Sequence, residues 1–207
     1  INGGLASVNL TPGSYDALII SVGLSILASK QGDFALTRPP GHHAHKNYGA
    51  GFCIYNNMAI ACKNLLSEGK RVAVLDLDGH RGDGTQDILK DENNFFHCSL
   101  HQKNAYPGPG EFYSNNAINI ALENPVERGD YLIALDKAIN YINEFEPDVV
   151  GISMGFDTYK EDRSLNFLLD IDDYSYIGNR LTNIEIPKQS IFAVLEGGYH
   201  NKVLECT

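Results

Sequence analysis

The chain alternates short apolar segments with helix-like segments, and this alternation most restricts the fold it can adopt. Five apolar runs rich in β-branched residues are typical of buried strands, at residues 34–37, 71–77, 95–100, 148–154 and 190–195. Helical patterns with matching start or stop residues precede or separate them, at residues 14–29, 57–68, 130–145 and 172–183. Strands that alternate with helices predict a mostly parallel sheet covered by helices on both faces.

Composition favours one globular domain over residues 1–207, because 43% of the residues are hydrophobic and no linker or repeat divides the chain. The net charge of −10 predicts that the surface repels nucleic acid and anionic membranes. Four cysteines without a CxxC pair are expected to be free thiols. With no apolar run long enough to span a membrane and no signal segment, the expected location is the cytoplasm.

Two further expectations concern the loops and the ends of the chain. The polar segments 101–116 and 158–170 are expected to form surface loops. Since the chain starts at Ile1 and stops soon after a glycine pair, we expect a partial domain, truncated at one or both ends.

In a parallel sheet, ligands bind beyond the carboxyl ends of the strands. The run "RVAVLDLD" leads into "GHRGDGTQD" and places Asp76, Asp78 and His80 at alternate positions. If the strand continues through them, these side chains share one face and form part of a metal site. Turn residues bonded to the backbone are the simpler alternative. A calcium loop fits worse, because Arg81 occupies its glycine position and Asp87 its final glutamate position.

Other predicted strands also end in residues that can do chemistry. His42 and His43 follow the first strand, Asp157 follows "DVVGISMG", and two glycines and Tyr199 follow "SIFAVLE". Alone, Asp157 fits a loop or a helix cap, and Tyr199 a surface aromatic. Four such strand ends together are much less expected by chance. Neither a nucleotide-binding glycine motif nor a G-x-S-x-G elbow is complete in the sequence.

Taken as an ordered set, the motifs "RPPGHHA", "GFCIYNN", "DLDGHRGDGTQ", "SLHQKNAYPGPG", "GFD" and "LEGGY" resemble zinc-dependent histone deacetylases and their bacterial relatives. Those relatives include the acetylpolyamine amidohydrolases. The residues of the first and last motifs are more similar to the class II branch of the histone deacetylases. The similarity covers residues 13–199. It implies a three-layer α/β/α arginase-deacetylase fold.

The same resemblance implies two cation sites. Asp78, His80 and Asp157 match the ligands of a catalytic Zn²⁺, and their mixed oxygen and nitrogen donors can also hold Fe²⁺ or Co²⁺. The positions that match a monovalent-cation site in many relatives, expected to hold K⁺, are Asp76, Asp78, His80, Ser99 and Leu100.

Catalytic roles follow from the same match. His42 and His43 resemble the tandem pair that takes and delivers protons while a metal-activated water attacks the amide carbonyl. In that pattern Asp76 orients His42 and Asp83 orients His43. Tyr199 would donate its hydroxyl to the developing oxyanion.

The expected substrate is an acetylated amine gripped by two aromatic walls. Phe52, after Gly51, and Tyr106 match those walls, although core packing is the commonest task of a phenylalanine. Gly198 belongs to the turn that brings the backbone close to the site. Acetyl-lysine in a peptide or protein and a small acetylated amine such as an acetylpolyamine both remain open, and the oligomeric state, including a homo-oligomer, is not determined.

One departure and two other functions complete the prediction. Arg81 stands where relatives commonly carry a second histidine. Asp83 or Asp87 could neutralise its charge, or the charge could disfavour cationic substrates. An acidic loop residue that clamps the substrate in many relatives would lie ahead of Ile1. A non-catalytic module that binds acyl-lysine or metal is an alternative. A two-manganese ureohydrolase fits less well, because it needs a larger set of acidic ligands.

Overall fold

A parallel six-stranded sheet forms the centre of the protein. The computed structural model describes residues 10–108 and 116–207. The strands are β1 (Phe34–Ala35), β2 (Val72–Asp76), β3 (Phe95–Gln102), β4 (Ala117–Leu122), β5 (Val149–Met154) and β6 (Ile191–Leu195). They lie in the order β1-β6-β5-β2-β3-β4, and every neighbouring pair is parallel.

All five predicted strands are present, with ends within two residues of the predicted ones. The sixth strand, β4, was not predicted. It begins directly after a long polar segment, and the buried Asn119 interrupts its apolar residues. Pairing with β3, from His97 opposite Ala117 to Gln102 opposite Leu122, places it in the sheet.

Six helices pack on the sheet or its connections in the described part of the chain. They are α1 (Ser14–Gln31), α2 (Asn57–Ser67), α3 (Asp83–Leu89), α4 (Arg128–Phe145), α5 (Ile171–Leu181) and α6 (Val203–Cys206). The four predicted helices are confirmed as α1, α2, α4 and α5. The Asn56 side chain accepts a hydrogen bond from the Ala59 N–H and caps α2, while Asp170 and Asp173 form a capping box at α5. The short helices α3 and α6 were not predicted.

Apolar clusters on both faces of the sheet make the fold a three-layer α/β/α arrangement. Along β2, Val72 and Val74 join a cluster with α2, whereas Ala73 and Leu75 join a cluster with α4 and α5. This alternation follows from the two-residue period of a strand whose two faces are both buried. The predicted fold class is therefore confirmed.

The two segments predicted as surface loops differ from that description. In the first, β3 extends through His101 and Gln102, both of which are buried, and residues 109–115 lie outside the described residues. In the second, Tyr159, Phe167 and Leu169 are buried in the cluster that contains α4 and α5. Burial of these apolar side chains packs the otherwise polar segment 158–170 against the core.

All four cysteines are free, as predicted, and the structure shows that all four are buried. Burial raises the pKa of the Cys62 thiol and of the Cys98 thiol, the latter to about 12. Both thiols are therefore protonated and packed as small apolar groups. Within the two described ranges, no helix combines the length and apolar character needed to cross a membrane.

Two residues of α4 test the contribution of the core. Leu135 is fully buried, whereas Ile133 is 70% exposed. Leu135→Ala is expected to lower the free energy of unfolding by about 2–5 kcal/mol, because it removes buried methyl groups and leaves a cavity. Ile133→Ala, the matched control, should change it by less than about 0.5 kcal/mol. Urea denaturation followed by circular dichroism measures both, and equal losses would contradict this packing.

Candidate active site

A cavity of about 310 Å³ lies beyond the carboxyl ends of the strands. It collects residues from the segments that follow β1, β2, β3, β5 and β6, which the order of the parallel strands brings together. Predicted site residues that line the cavity are His42, His43, Gly51, Phe52, Asp78, His80, Tyr106, Asp157 and Tyr199.

Three potential metal ligands of two types converge in this cavity. Donor atoms of Asp78, His80 and Asp157 all lie within 4.8 Å of one another. His80 Nδ1 is 3.1 Å from Asp78 Oδ1 and 2.7 Å from Asp157 Oδ2. Two carboxylates and an imidazole in this arrangement match the donor set of a divalent-cation site that leaves positions open.

Of the two alternatives for this segment, the turn is the one observed, since β2 ends at Asp76 and does not continue to His80. Backbone groups in the following turn position the donors instead. The His80 N–H donates to Asp78 Oδ1 at 2.8 Å, and the Gly79 N–H donates to Asp157 Oδ1 at 2.8 Å. Asp78, His80 and Asp157 therefore meet through turn geometry and not through strand alternation.

Glycines make room for the buried Asp78 carboxylate. A Cβ atom on Gly155 would lie 2.3 Å from Asp78 Oδ2, and one on Gly197 would lie 2.6 Å from it. The Gly197 N–H donates to this same oxygen at 2.7 Å. Both positions therefore exclude any larger side chain while Asp78 stays in place.

The electrostatics of the cluster fit a bound cation. Burial and the charge of Asp78 raise the pKa of Asp157 to about 6. Burial lowers the pKa of His80, but contacts with Asp157 and Asp78 outweigh it and raise that pKa to about 10. Asp157 Oδ2 accepts no hydrogen bond of good geometry in the described structure. A divalent ion would offset the two buried negative charges and use this oxygen.

Each of the two adjacent histidines has its own carboxylate partner. His42 Nδ1 lies 3.2 Å from Asp76 Oδ2, and His43 Nδ1 lies 2.7 Å from Asp83 Oδ1. The imidazole centroids are 4.0 Å apart. Since Nδ1 of each ring faces a carboxylate, Nε2 is left on the opposite side of the ring. A Cβ atom on Gly82 would lie 1.9 Å from Asp76 Oδ2, so a glycine is required beside this pair.

Their surroundings separate the proton affinities of the two imidazoles. Burial opposes the protonation of His42, but the carboxylates of Asp78, Asp76 and Glu196 outweigh it and raise its pKa well above the usual value. Burial and the charge on His42 lower the pKa of His43 to about 4, despite Asp83. Adjacent residues of the same type thus differ in their affinity for a proton.

Two aromatic side chains border the cavity mouth. Phe52 is 50% exposed and Tyr106 is 40% exposed, so neither is a core residue. The Tyr106 ring meets His43 edge to face at 4.9 Å, and the Phe52 ring meets Tyr199 in the same way at 5.7 Å. Gly51 has a positive φ of 51°, and a Cβ atom there would lie 2.4 Å from His43 Cδ2. Gly51 lets the chain pass close to His43.

Tyr199 lies on a glycine turn after β6. Gly198 has a φ of 104°, and a Cβ atom there would approach the Phe156 backbone to 2.9 Å. The Tyr199 N–H donates to Asp162 Oδ2 at 3.0 Å. Burial raises the pKa of the Tyr199 hydroxyl above its usual value, although Arg38 opposes this effect. The hydroxyl therefore keeps its proton and can act as a donor.

The predicted monovalent-cation residues lie at the end of β2, in the turn that follows it, and on the neighbouring strand β3. Ser99 on β3 is the direct neighbour of Asp76 on β2, and its Oγ lies 3.1 Å from His101 Nδ1. The side chain of Leu100 is buried in the apolar cluster, so only its backbone carbonyl can serve as a ligand.

Neutralisation of Arg81 by Asp83 or Asp87, one of two possibilities for this residue, is not observed in the described structure. Its guanidinium lies 3.4 Å from Gln86 Oε1, and no ion pair links it to Asp83 or Asp87 in the described ranges. Both carboxylates are engaged by His45, whose ring nitrogens lie 3.0 Å from Asp83 Oδ2 and 3.1 Å from Asp87 Oδ2.

Sequence reasoning missed several residues that support the site. His45 shares Asp83 with His43, Arg38 contacts the glycine turn, and the fully buried Glu196 accepts hydrogen bonds from the loop of the histidine pair. A carboxyl directly after the apolar run "FAVL" was the available signal for Glu196.

Comparison with known proteins identifies the class. The histone deacetylase domain family matches residues 6–207. A probable deacetylase of Archaeoglobus fulgidus is 36% identical, over 92% of this chain and 58% of its own length. Acetylpolyamine amidohydrolase 1 of Pseudomonas aeruginosa is also 36% identical, over 92% of this chain and 59% of its own length. The chain belongs to the histone deacetylase domain family.

A solved structure shows the same fold. The crystal structure of an acetylpolyamine aminohydrolase from Burkholderia pseudomallei is similar, with a TM-score of 0.81 and 30% identity over 93% of this chain. The match covers 59% of that structure's chain. The chain thus spans less than two thirds of this relative and of the two above.

Removal of one donor tests the metal cluster. We expect Asp157→Ala to lower divalent-cation content from about one ion per chain to a small fraction, because two donors hold a cation poorly. Elemental analysis after dialysis with and without added Zn²⁺ measures this content. Asp136→Ala, which removes a half-exposed carboxylate on α4, is the control and should retain the ion. Equal metal content in the two variants, or none in the unaltered protein, would contradict the assignment.

Proposed function

We propose that this chain carries the catalytic site of a metal-dependent amidohydrolase that removes the acetyl group from an acetylated amine. One observation carries the proposal: a single cavity contains the Asp78–His80–Asp157 cluster, the carboxylate-supported histidine pair and the Tyr199 side chain. Family membership supports the same reaction class.

A divalent cation bound by the cluster supplies Lewis-acid polarisation of the amide carbonyl and lowers the pKa of a nearby water molecule. Asp78 and Asp157 contribute oxygen ligands and His80 a nitrogen ligand. Zn²⁺ is the ion that we expect, with Fe²⁺ or Co²⁺ compatible with the same donors. The residues Asp76, Asp78, His80, Ser99 and Leu100 are proposed to hold K⁺ beside it.

Proton transfer is assigned to the histidine pair. As water adds to the carbonyl carbon, an imidazole removes its proton, and the proton then passes to the nitrogen as the carbon–nitrogen bond breaks. Asp76 and Asp83 hold His42 and His43 through Nδ1, which leaves Nε2 of each ring available for this exchange. The products are a carboxylic acid and a free amine.

Tyr199 is proposed to donate its hydroxyl to the oxygen of the amide carbonyl as negative charge develops there. Its place in the same cavity as the histidine pair, with its ring edge-on to Phe52, supports this role. A donor that is already in position when charge develops needs little reorganisation, which is the main advantage of such a site.

Phe52 and Tyr106 are proposed to contact the chain that carries the acetylated nitrogen, with Gly51 and Gly198 allowing the close backbone approach. Rings that frame the mouth suit a methylene chain, since such a chain is apolar and narrow. A small acetylated amine is favoured as substrate, because acetylpolyamine amidohydrolases are among the similar proteins. An acetyl-lysine peptide presents the same group.

Two tyrosines provide a matched test of the catalytic proposal. Tyr199 and Tyr176 are each 56% exposed, and an arginine lies over each ring, at 4.9 and 5.0 Å. Tyr199→Phe is expected to lower kcat by about 10²–10³-fold, because it removes the oxyanion donor. Tyr176→Phe, on α5 away from the cavity, should leave kcat unchanged. Equal rates for both variants would contradict the role of Tyr199.

Hydrolysis of an N-acetylated diamine and of an acetyl-lysine peptide, measured as free amine released, identifies the substrate class. We expect activity on the diamine, loss on chelation, and recovery when Zn²⁺ is restored. Faster turnover of the peptide would replace the small amine with acetyl-lysine. Tight binding of either compound without turnover by metal-loaded protein would contradict the enzyme assignment and favour a binding module.

A further inference from the structure

Two side chains join the segment of the histidine pair to the turn of Tyr199. Each side chain belongs to one of the two segments and hydrogen-bonds to the backbone of the other. Arg38, on the first segment, donates Nη1 to the Glu196 carbonyl and Nη2 to the Gly198 carbonyl, each at 2.8 Å. In return, Glu196 Oε2 accepts the backbone N–H groups of Gly41 at 2.8 Å and His42 at 3.1 Å. We call these two residues, Arg38 and Glu196, the reciprocal clip.

The Glu196 half of the clip is deeply buried. Its residue is 0% exposed, and its second oxygen accepts a hydrogen bond from Ser153 Oγ at 3.1 Å. A buried carboxyl without partners is strongly destabilising, so three converging donors define one position for this group. Because two of these donors are the backbone N–H groups of Gly41 and His42, that position also determines where the His42 backbone lies.

The Arg38 half holds the turn through two backbone carbonyls. The planar guanidinium presents parallel N–H groups that suit two carbonyls flanking Gly197. Two N–H groups of the same turn are also engaged: the Gly197 N–H donates to Asp78 and the Tyr199 N–H donates to Asp162. Arg38 Cζ also lies 4.9 Å from the centroid of the Tyr199 ring, within the range of a cation–π contact.

Neither side chain of the clip lines the cavity, so neither is placed to touch a substrate there. We propose that Arg38 and Glu196 are positioning residues that set the separation between the His42–His43 pair and the Tyr199 hydroxyl. The inference rests on the proposed function for its catalytic meaning. Because the histidines and Tyr199 are proposed to act on the same amide group during the reaction, an error in their separation affects kcat more than KM.

Kinetics of clip variants provide the first test. Arg38→Ala and Glu196→Ala are each expected to lower kcat at least about tenfold, with KM changed less than about twofold. Glu196→Gln should retain most of the rate, because its amide oxygen still accepts the two backbone N–H groups. Arg38→Lys should remain impaired, since an ammonium cannot span both carbonyls.

Arg71 offers a control with the same kinds of contact in a remote place. Its Nε donates to the Phe145 carbonyl, and its guanidinium lies 3.9 Å from the Phe145 ring, at the amino end of β2. Arg71→Ala should leave kcat unchanged. In a double-mutant cycle, Arg38→Ala should have a much smaller effect when Tyr199 is already Phe. Multiplicative effects, or an unchanged kcat in Arg38→Ala and Glu196→Ala, would overturn the proposal.

A measurement without turnover separates this inference from the proposed function. In protein labelled with 3-fluorotyrosine, the Tyr199 ¹⁹F resonance is identified by its loss in Tyr199→Phe. It should shift or broaden in Arg38→Ala and Arg38→Lys and stay unchanged in Arg71→Ala. An unchanged resonance in the Arg38 variants would refute the clip even in an active enzyme. If the unaltered protein hydrolyses neither substrate, the proposed function fails, while this comparison still decides the clip.

Metal content and thermal unfolding establish that each variant is folded. If Glu196→Ala does not fold, Glu196→Gln and Arg38→Lys carry the test, because they differ in the contact they retain. A rate as low in Glu196→Gln as in Arg38→Ala would show that the carboxylate charge matters rather than its acceptor geometry. That result would overturn the positioning role of Glu196.

Discussion

Four buried carboxyl groups meet at one end of a parallel sheet, and the surrounding structure depends on how their hydrogen-bonding and charge requirements are met. None is more than 1% exposed, and they belong to Asp76, Asp78, Asp157 and Glu196. Unpartnered, such groups would be strongly destabilising. Most of their oxygens accept backbone N–H groups or face an imidazole. One oxygen of Asp157 accepts no well-aligned hydrogen bond in the described structure, and it points toward the other cation donors.

The order of the strands explains why residues so distant in sequence share one cavity. Asp78 and Asp157 follow the neighbouring strands β2 and β5, and Tyr199 follows β6 on the other side of β5. The histidine pair follows β1, which is next to β6. Because all these strands run in the same direction, their carboxyl ends present their connections along one edge. The clip joins the connections after β1 and β6, two strands that share only a short ladder.

Much of the fold and of the cavity could be predicted from the sequence, because buried strands and their terminal residues leave local patterns. The sequence left two alternatives at Asp78, since a strand that continues and a strand that turns place polar residues at the same spacing. Strand β4 was missed because it follows a long polar segment and contains Asn119; its place in the sheet is evident from its pairing with β3. Arg38 and Glu196 are 158 residues apart, and hydrogen bonds to backbone groups leave no complementary residue pattern to detect.

The crowding around Asp78 Oδ2 links the cavity to the rest of the sheet. Gly155, after β5, and Gly197, after β6, both lie so close to this oxygen that a Cβ atom on either residue would clash with it. Its position is therefore a function of the spacing and twist of three adjacent strands. Because protein interiors are close-packed and transmit displacement, a volume change deep in either apolar layer reaches the donor oxygen through these two glycines. A core substitution that moves one of these strands is therefore expected to move a cation donor as well.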